Sequence, residues 1–245
     1  MDNMAIMGDP TGITIGDKHT YRDWGLEWLG YTITSPAPKT KLIEVPGRNG
    51  AIDLSESLTG GVCYNNRTLN LQFTNFQNYE SWHSKYSEIA NYCHGKKLKI
   101  ILDTDPHYYY YGRLTLDTLQ DNNTMGQLNF SVDADPFKYE HITSADDWLW
   151  DDFHFPTDVV RNYKDIPIIG ETDVKLIGTN RAVAATVTCS AAMQVVFDYP
   201  AEGLVSIDLS PGDNRNYHLV VNPGEQTWKF VGAGTVTITF RGCSL

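Results

Sequence analysis

The sequence predicts a mainly β protein in two domains, residues 1–141 and 142–245, with one α-helix packed in the first. Three features of the 245-residue chain predict this. Apolar and polar residues alternate over short segments along most of the chain, as they do in strands that bury one face. A helical apolar period occurs in one stretch, residues 76–93. The composition shifts near residue 141, and the length suits two cores of roughly 100–150 residues better than one.

In the first domain the alternating runs are Leu69, Leu71 and Phe73; Leu98, Ile100 and Leu102; and Leu114, Leu116 and Leu119. Leu128, Phe130 and Val132 follow an Asn122-Asn123 turn signal, so residues 107–133 read as a long antiparallel hairpin. Between the first two runs, Phe76, Tyr79, Trp82, Tyr86, Ile89 and Cys93 share one helical face and predict a helix packed on the sheet. Thr74 and Gln77 have the spacing of a capping box, and Gly95 stands where a left-handed C-terminal cap is expected.

The hairpin ends at Asp135-Pro-Phe-Lys-Tyr139, and the acidic, aromatic stretch Ser144–Phe153 reads as a linker carrying Trp148 and Trp150. Beyond Pro167, strands are predicted at 182–188, 193–197, 204–209, 217–221, 227–231 and 235–240. Their spacing of about 8–12 residues suggests a β-sandwich. Turn signals at Pro200, Pro211-Gly-Asp213 and Asn222-Pro-Gly224 separate them.

Composition narrows the function. Hydrophobic residues make up 41% of the chain and aromatics 12%, enough to fill two cores. The net charge of −11 argues against nucleic acid or an anionic bilayer as a partner, because both are bound through Lys and Arg. Residues 1–10 lack a basic, apolar leader, and no apolar run is long enough to span a bilayer, so folding in a cytoplasm is expected. Cys63, Cys93, Cys189 and Cys243 are widely separated and indicate neither a zinc site nor a disulfide framework.

No phosphate-binding loop, dinucleotide fingerprint, nucleophile elbow or HExxH pair is present. Asp103-Thr-Asp105-Pro106 and Asp133-Ala-Asp135-Pro136 could chelate a divalent cation, but both follow apolar strands and read better as strand-ending turns. Asp146, Asp147, Asp151 and Asp152 read as a solvated acidic linker, and His107 has no nucleophile to serve. Catalytic, cofactor and metal sites are therefore expected to be absent.

Two segments stand out as contact surfaces. Tyr108, Tyr109, Tyr110 and Tyr111 lie on one predicted strand, two rings to each face, and one face alone can meet its own core. The other pair is available to a subunit interface, to further packing within the domain or to a sugar. Pro46–Asp53 carries glycines and polar residues suited to an exposed loop. Within it Arg48, Asn49, Gly50 and Asp53 are candidate contacts to another subunit or to a tube protein, with an ordinary Asn-Gly hairpin turn as the alternative.

The order of several motifs carries a resemblance. Val45-Pro-Gly-Arg-Asn-Gly-Ala-Ile-Asp-Leu54, Tyr64-Asn-Asn-Arg-Thr-Leu-Asn-Leu-Gln-Phe73, the amphipathic helix, Leu102-Asp103 with Tyr111-Gly-Arg-Leu114, and Asp135-Pro-Phe-Lys-Tyr139 resemble the N-terminal domain of siphophage distal tail proteins. The resemblance covers about residues 15–140. It implies a tail-tube-like β-sandwich or barrel that forms a homo-hexameric ring. That ring would meet the tail tube protein on one side and a tail-associated fibre or lysin protein on the other, with a receptor-binding protein as a further partner.

The strand pattern of residues 142–245 is similar to the galectin-like sandwich such proteins carry. Galectins bind sugar through a His-x-Asn-x-Arg strand and a Trp-x-x-Glu-x-Arg segment. Here His218 is followed by Leu-Val-Val and Trp228 by Lys-Phe-Val, so the fold is expected without that site. The resemblance thus implies a structural protein at the distal end of a virion tail, assembled in the host cytoplasm, and the net charge of −11 on every copy makes an acidic or neutral ring channel the expectation. A non-catalytic carbohydrate-binding protein or accessory host-adhesion module is the alternative.

Overall fold

The computed structural model describes residues 11–57, 59–75, 82–117, 120–121, 126–146, 161–199 and 202–245. Residue contacts divide the chain between Lys138 and Tyr139.

The first unit contains β1 (Ile13–Ile15), β2 (Lys18–His19), β3 (Glu27–Ile33), β4 (Leu42–Ile43), β5 (Ile52–Asp53), β6 (Arg67–Asn75), α1 (Trp82–Cys93), β7 (Lys97–Leu102), β8 (Asp105–Leu116), β9 (Gln120–Asp121) and β10 (Gly126–Ala134). Its main sheet is antiparallel, in the order β2-β1-β7-β8-β10-β6-β3. The alternation read from the sequence sets its register. Phe73 faces Leu128, Leu71 faces Phe130, and Leu69 faces Val132, so three cross-strand apolar pairs point to one side and are fully buried. Each such side chain contributes about 1.5–3 kcal/mol by leaving water.

Helix α1 covers that apolar side. Trp82, Ile89 and Cys93 are buried, and Tyr86 packs against the same core. Tyr92 meets Trp24 edge to face at 5.6 Å, and its hydroxyl accepts the Asp17 N–H at 2.9 Å. Gly95 has φ 77° just beyond the helix, the left-handed cap that glycine supplies without steric cost. The expected capping box is corrected. Thr74 lies inside β6, where its hydroxyl donates to the Gly126 carbonyl at 3.0 Å, so the strand ladder takes the residue assigned to the helix start. Phe76, Gln77, Tyr79, Leu119, Asn122 and Asn123 lie outside the described residues.

Strand β11 (Lys138–Glu140) spans the division. The second unit continues with β12 (Ile166–Ile177), β13 (Val183–Ala184), β14 (Thr186–Cys189), β15 (Met193–Tyr199), β16 (Gly203–Leu209), β17 (Gly212–Asn214), β18 (Val220–Val221), β19 (Glu225–Thr239) and β20 (Cys243–Ser244). The sheet order is β16-β15-β19-β14-β17, with β12 also paired to β19 and a separate β13–β18 ribbon. Its core gathers Val187, Val195, Phe197, Leu219, Trp228, Phe230 and Ile238.

Two expectations change here. The strands expected at 227–231 and 235–240 are one strand, β19, because Gly232 and Gly234 adopt φ 152° and 145° and carry the ladder with β12 across the bend. The strand expected at 217–221 shrinks to Val220–Val221, since residues 215–218 leave the ladder as an excursion.

Ser144 does not begin a solvated linker. It is buried, donates through Oγ to the Ile238 carbonyl at 2.9 Å and accepts the Phe240 N–H at 2.8 Å. Asp147, Trp148, Trp150, Asp151, Asp152 and Pro200 lie outside the described residues.

Candidate assembly interface

Strands β3 and β6 pair from Glu27↔Thr74 to Ile33↔Leu69, and the ribbon they form continues well past the sheet. Asn65 donates its N–H to the Ala37 carbonyl at 2.9 Å and Lys39 donates to Cys63 at 2.8 Å. Further out, Leu42 opposes Asp53 and Ile43 opposes Ile52. This is a hairpin arm, and every residue from Ala37 to Ala51 is exposed. Among them are Leu42 at 59%, Ile43 at 41% and Val45 at 39%, with Leu54 at 39% on the returning strand. A two-stranded ribbon has no core of its own, so these apolar side chains keep a large part of their surface in water in the monomer.

The segment singled out from the sequence forms the tip of this arm. Residues 44–51 connect Ile43 to Ile52, so Asn49-Gly50 belongs to a long loop and not to a two-residue turn. Gly47 and Gly50 take φ 82° and 76°. Arg48 and Asn49 are exposed, and Arg48 makes no ion pair among the described residues. Asp53 is already engaged. Its carboxylate accepts the Ser55 hydroxyl and the Ser55 N–H, which hold its pKa below the usual carboxylate value. Ser55 in turn accepts the Lys41 N–H at 2.8 Å, so Asp53 and Ser55 tie the two strands together just behind the tip loop.

The tyrosine run behaves differently from the bare strand argument. Tyr110 enters the core, with Tyr108 half-buried beneath the Lys138 ammonium at 4.2 Å. On the opposite face Tyr109 is buried at 9% and Tyr111 remains 37% exposed. Lys99 lies 4.9 Å from the Tyr109 ring and Lys97 4.7 Å from Tyr111, both reaching diagonally from β7. Packing within the sheet thus accounts for three rings, and Tyr111 is the one left facing water. Sequence reasoning missed these lysines because their pairing depends on the β7–β8 register.

The paired carboxylates are each taken by the protein. Asp103 accepts the Gly12 N–H at 2.8 Å and lies 3.0 Å from His19 Nε2, while Asp105 pairs with Lys138 at 2.7 Å. Asp133 accepts from Asn66 at 3.0 Å and Asp135 pairs with Lys97 at 2.8 Å. Among the described residues no group of three or more His, Cys, Asp or Glu side chains gathers as metal ligands. The four thiols are free, and burial pushes Cys93 up to about 11. Trp228 is buried and stacks on Phe197 at 5.0 Å, which makes it a core residue and not a displayed sugar platform.

Two antiparallel β units, one of them with a helix packed on its sheet, give this chain a fold shared with a solved phage tail protein. The likeness is to the crystal structure of the Dit protein (gp 19.1) of phage SPP1, described as a paradigm of the hub adsorption apparatus in phages that infect Gram-positive hosts. It covers 96% of this chain and 99% of that one, with a TM-score of 0.63 at 14% identity. No family model matches the sequence, and no curated protein matches it.

Proposed function

We propose that this chain is a non-enzymatic hub at the distal end of a phage tail, where copies of it close into a homo-hexameric ring that joins the tail tube protein to a fibre or lysin protein at the tip. A receptor-binding protein is a further partner. The observation that carries this reading is the end-to-end likeness to a tail hub protein, with both units aligned. Residues 1–141 are the ring-forming part, and residues 142–245 form a galectin-like module.

The arm supplies a physical means of assembly. Leu42, Ile43, Val45 and Leu54 gain about 25 cal/mol for each further Å² of apolar surface buried against a neighbour. A closed ring repeats that contact at every interface, so a weak single contact becomes decisive when the last subunit closes it.

The test is the double variant Arg48→Ala, Asp53→Ala beside wild type, each mixed with tube protein and sized by native mass spectrometry and negative-stain imaging. Wild type is expected to form a closed ring, and the variant a folded chain with weakened assembly. Monomers alone, with every partner present, overturn the hub reading. Rings that form equally well in the variant leave the hub in place and remove the arm tip from its interface.

A further inference from the structure

We propose that the second unit carries a saccharide site in the cleft between Ala184–Thr186 and the excursion Arg215–Tyr217, independent of the ring. The cleft measures about 450 Å³ and is lined by Ala184, Ala185, Thr186, Arg215, Asn216 and Tyr217. That lies within the ~300–1,000 Å³ of small-molecule sites, which combine an apolar lining with a few placed polar groups.

The excursion arises from a register break. Val187 pairs with Asn214, yet the next bond inward joins the Ala185 N–H to the Leu219 carbonyl at 2.8 Å. Residues 215–217 are thereby pushed out over a floor of small side chains. Leu219 and His218 turn inward and are buried, whereas Tyr217 is left 75% exposed.

An exposed tyrosine alone would carry nothing, but this ring is held. It rests on the His218 imidazole at a centroid distance of 3.8 Å, and that imidazole meets Tyr199 edge to face at 5.1 Å. His218 is fixed in turn by its Nε2 contact to Glu202 at 3.1 Å and by its N–H donating to Asn216 Oδ1 at 3.0 Å. The exposed face is therefore a fixed platform, and a fixed platform loses little conformational entropy when a ligand stacks on it.

Among the described residues, two donor groups beside the platform are uncommitted. Arg215 uses Nε on Thr186 Oγ1 at 3.2 Å, both residues lining the cleft, and among the described residues its Nη groups have no partner. Asn216 commits Oδ1 to the His218 N–H, and its Nδ2 has no partner among the described residues. Glu202 turns one carboxylate oxygen, Oε2, to His218.

A pyranose matches this set, since it offers an apolar C–H face to a ring and a rim of oxygen acceptors to the donors. The guanidinium further favours a ring bearing a carboxylate, which it can meet with two parallel N–H bonds. A peptide strand fits less well against Ala185, whose N–H is already bonded to the Leu219 carbonyl.

The experiment is saturation-transfer NMR on the full chain with three probes: methyl β-D-glucopyranoside, N-acetylglucosamine and methyl β-D-glucuronide. Transfer to the ring C–H protons is expected, with the glucuronide held several-fold tighter. Tyr217→Ala should weaken binding about tenfold while Tyr217→Phe retains it, and Arg215→Ala should erase the preference for the glucuronide. Both side chains are exposed, so thermal melting of the variants should match wild type. The proposal is overturned by absence of transfer to all three probes, by transfer that survives Tyr217→Ala, or by a glucuronide preference that survives Arg215→Ala.

Discussion

The indole of Trp82 lies where the side chain of Gly126 would be, so that any Cβ at that position overlaps the ring. The helix and the first residue of β10 are thereby fitted to each other. Gly126→Ala should destabilise the first unit by about 1–3 kcal/mol through overpacking, and Trp82→Ala by ~3–5 kcal/mol through the cavity it leaves. The pair should be strongly coupled, because alanine at 126 has room once the indole is gone. Urea melts of the two single variants and the double variant measure this, and strictly additive losses would show that the two sites do not share space.

The arm should be dispensable to folding. Leu42→Ser with Ile43→Ser removes two exposed apolar side chains from a ribbon without a core, so the melting curve should shift by no more than about 0.5 kcal/mol of stability. Ring formation with tube protein, read by mass photometry, should fall sharply. A large loss of stability with assembly unaffected would mean that the arm packs on its own subunit.

Much of the first unit was legible because its sheet buries one face. Leu69, Leu71 and Phe73 against Leu128, Phe130 and Val132 write the period of two directly into the sequence. The helix was legible through the same logic at the helical period, while its start was misplaced because Thr74 serves β6. Strand β12 was missed, since Ile166–Ile177 interrupts its alternation with Gly170, at φ 69°, and the pair Glu171 and Thr172. The candidate surface was half legible. Glycine, proline and charge at 46–53 announce an exposed loop, but the Leu42 and Leu54 exposures come from a ribbon leaving the sheet. Likewise, the lysines over Tyr109 and Tyr111 depend on which strand lies alongside, a long-range fact that a strand's own period does not contain.

The thiols should respond to alkali and alkylation in a graded way. Half-buried Cys63 should react with iodoacetamide at about pH 8 in the native chain, and Cys93, Cys189 and Cys243 only after unfolding. Burial raises the folded-state pKa of Cys93 from 9.0 to about 11, so the unfolded chain releases that proton first. Below about pH 9 the thiol is neutral in both states and no stability is lost. Between about 9 and 11 the unfolded state is favoured, and stability should fall with rising pH. Cys93→Ala should flatten that part of the curve while costing some packing. A slope unchanged by the substitution would assign the alkaline loss to other groups.

Glu140 and Arg161 join the start of the second unit to its C-terminal end. Arg161 Nη1 donates to Glu140 Oε2 at 2.7 Å, and Nε donates to the Ile177 carbonyl at 3.1 Å. The same Glu140 oxygen accepts the Gly242 N–H at 3.2 Å. The two side chains are only 10% and 19% exposed, so the pair is largely desolvated and its loss is not a surface effect. Breaking a buried pair costs ~3–5 kcal/mol because a charge is left without its partner, and the partial exposure of Glu140 places Glu140→Ala at the lower end. Glu140→Gln keeps an acceptor for both donors and should cost less. The double variant Glu140→Leu, Arg161→Met leaves no charge stranded and should be more stable than the sum of its single changes predicts. Denaturant melts of these variants decide the matter: additive single losses would mean that the two groups act separately and that water, not the partner, satisfies each.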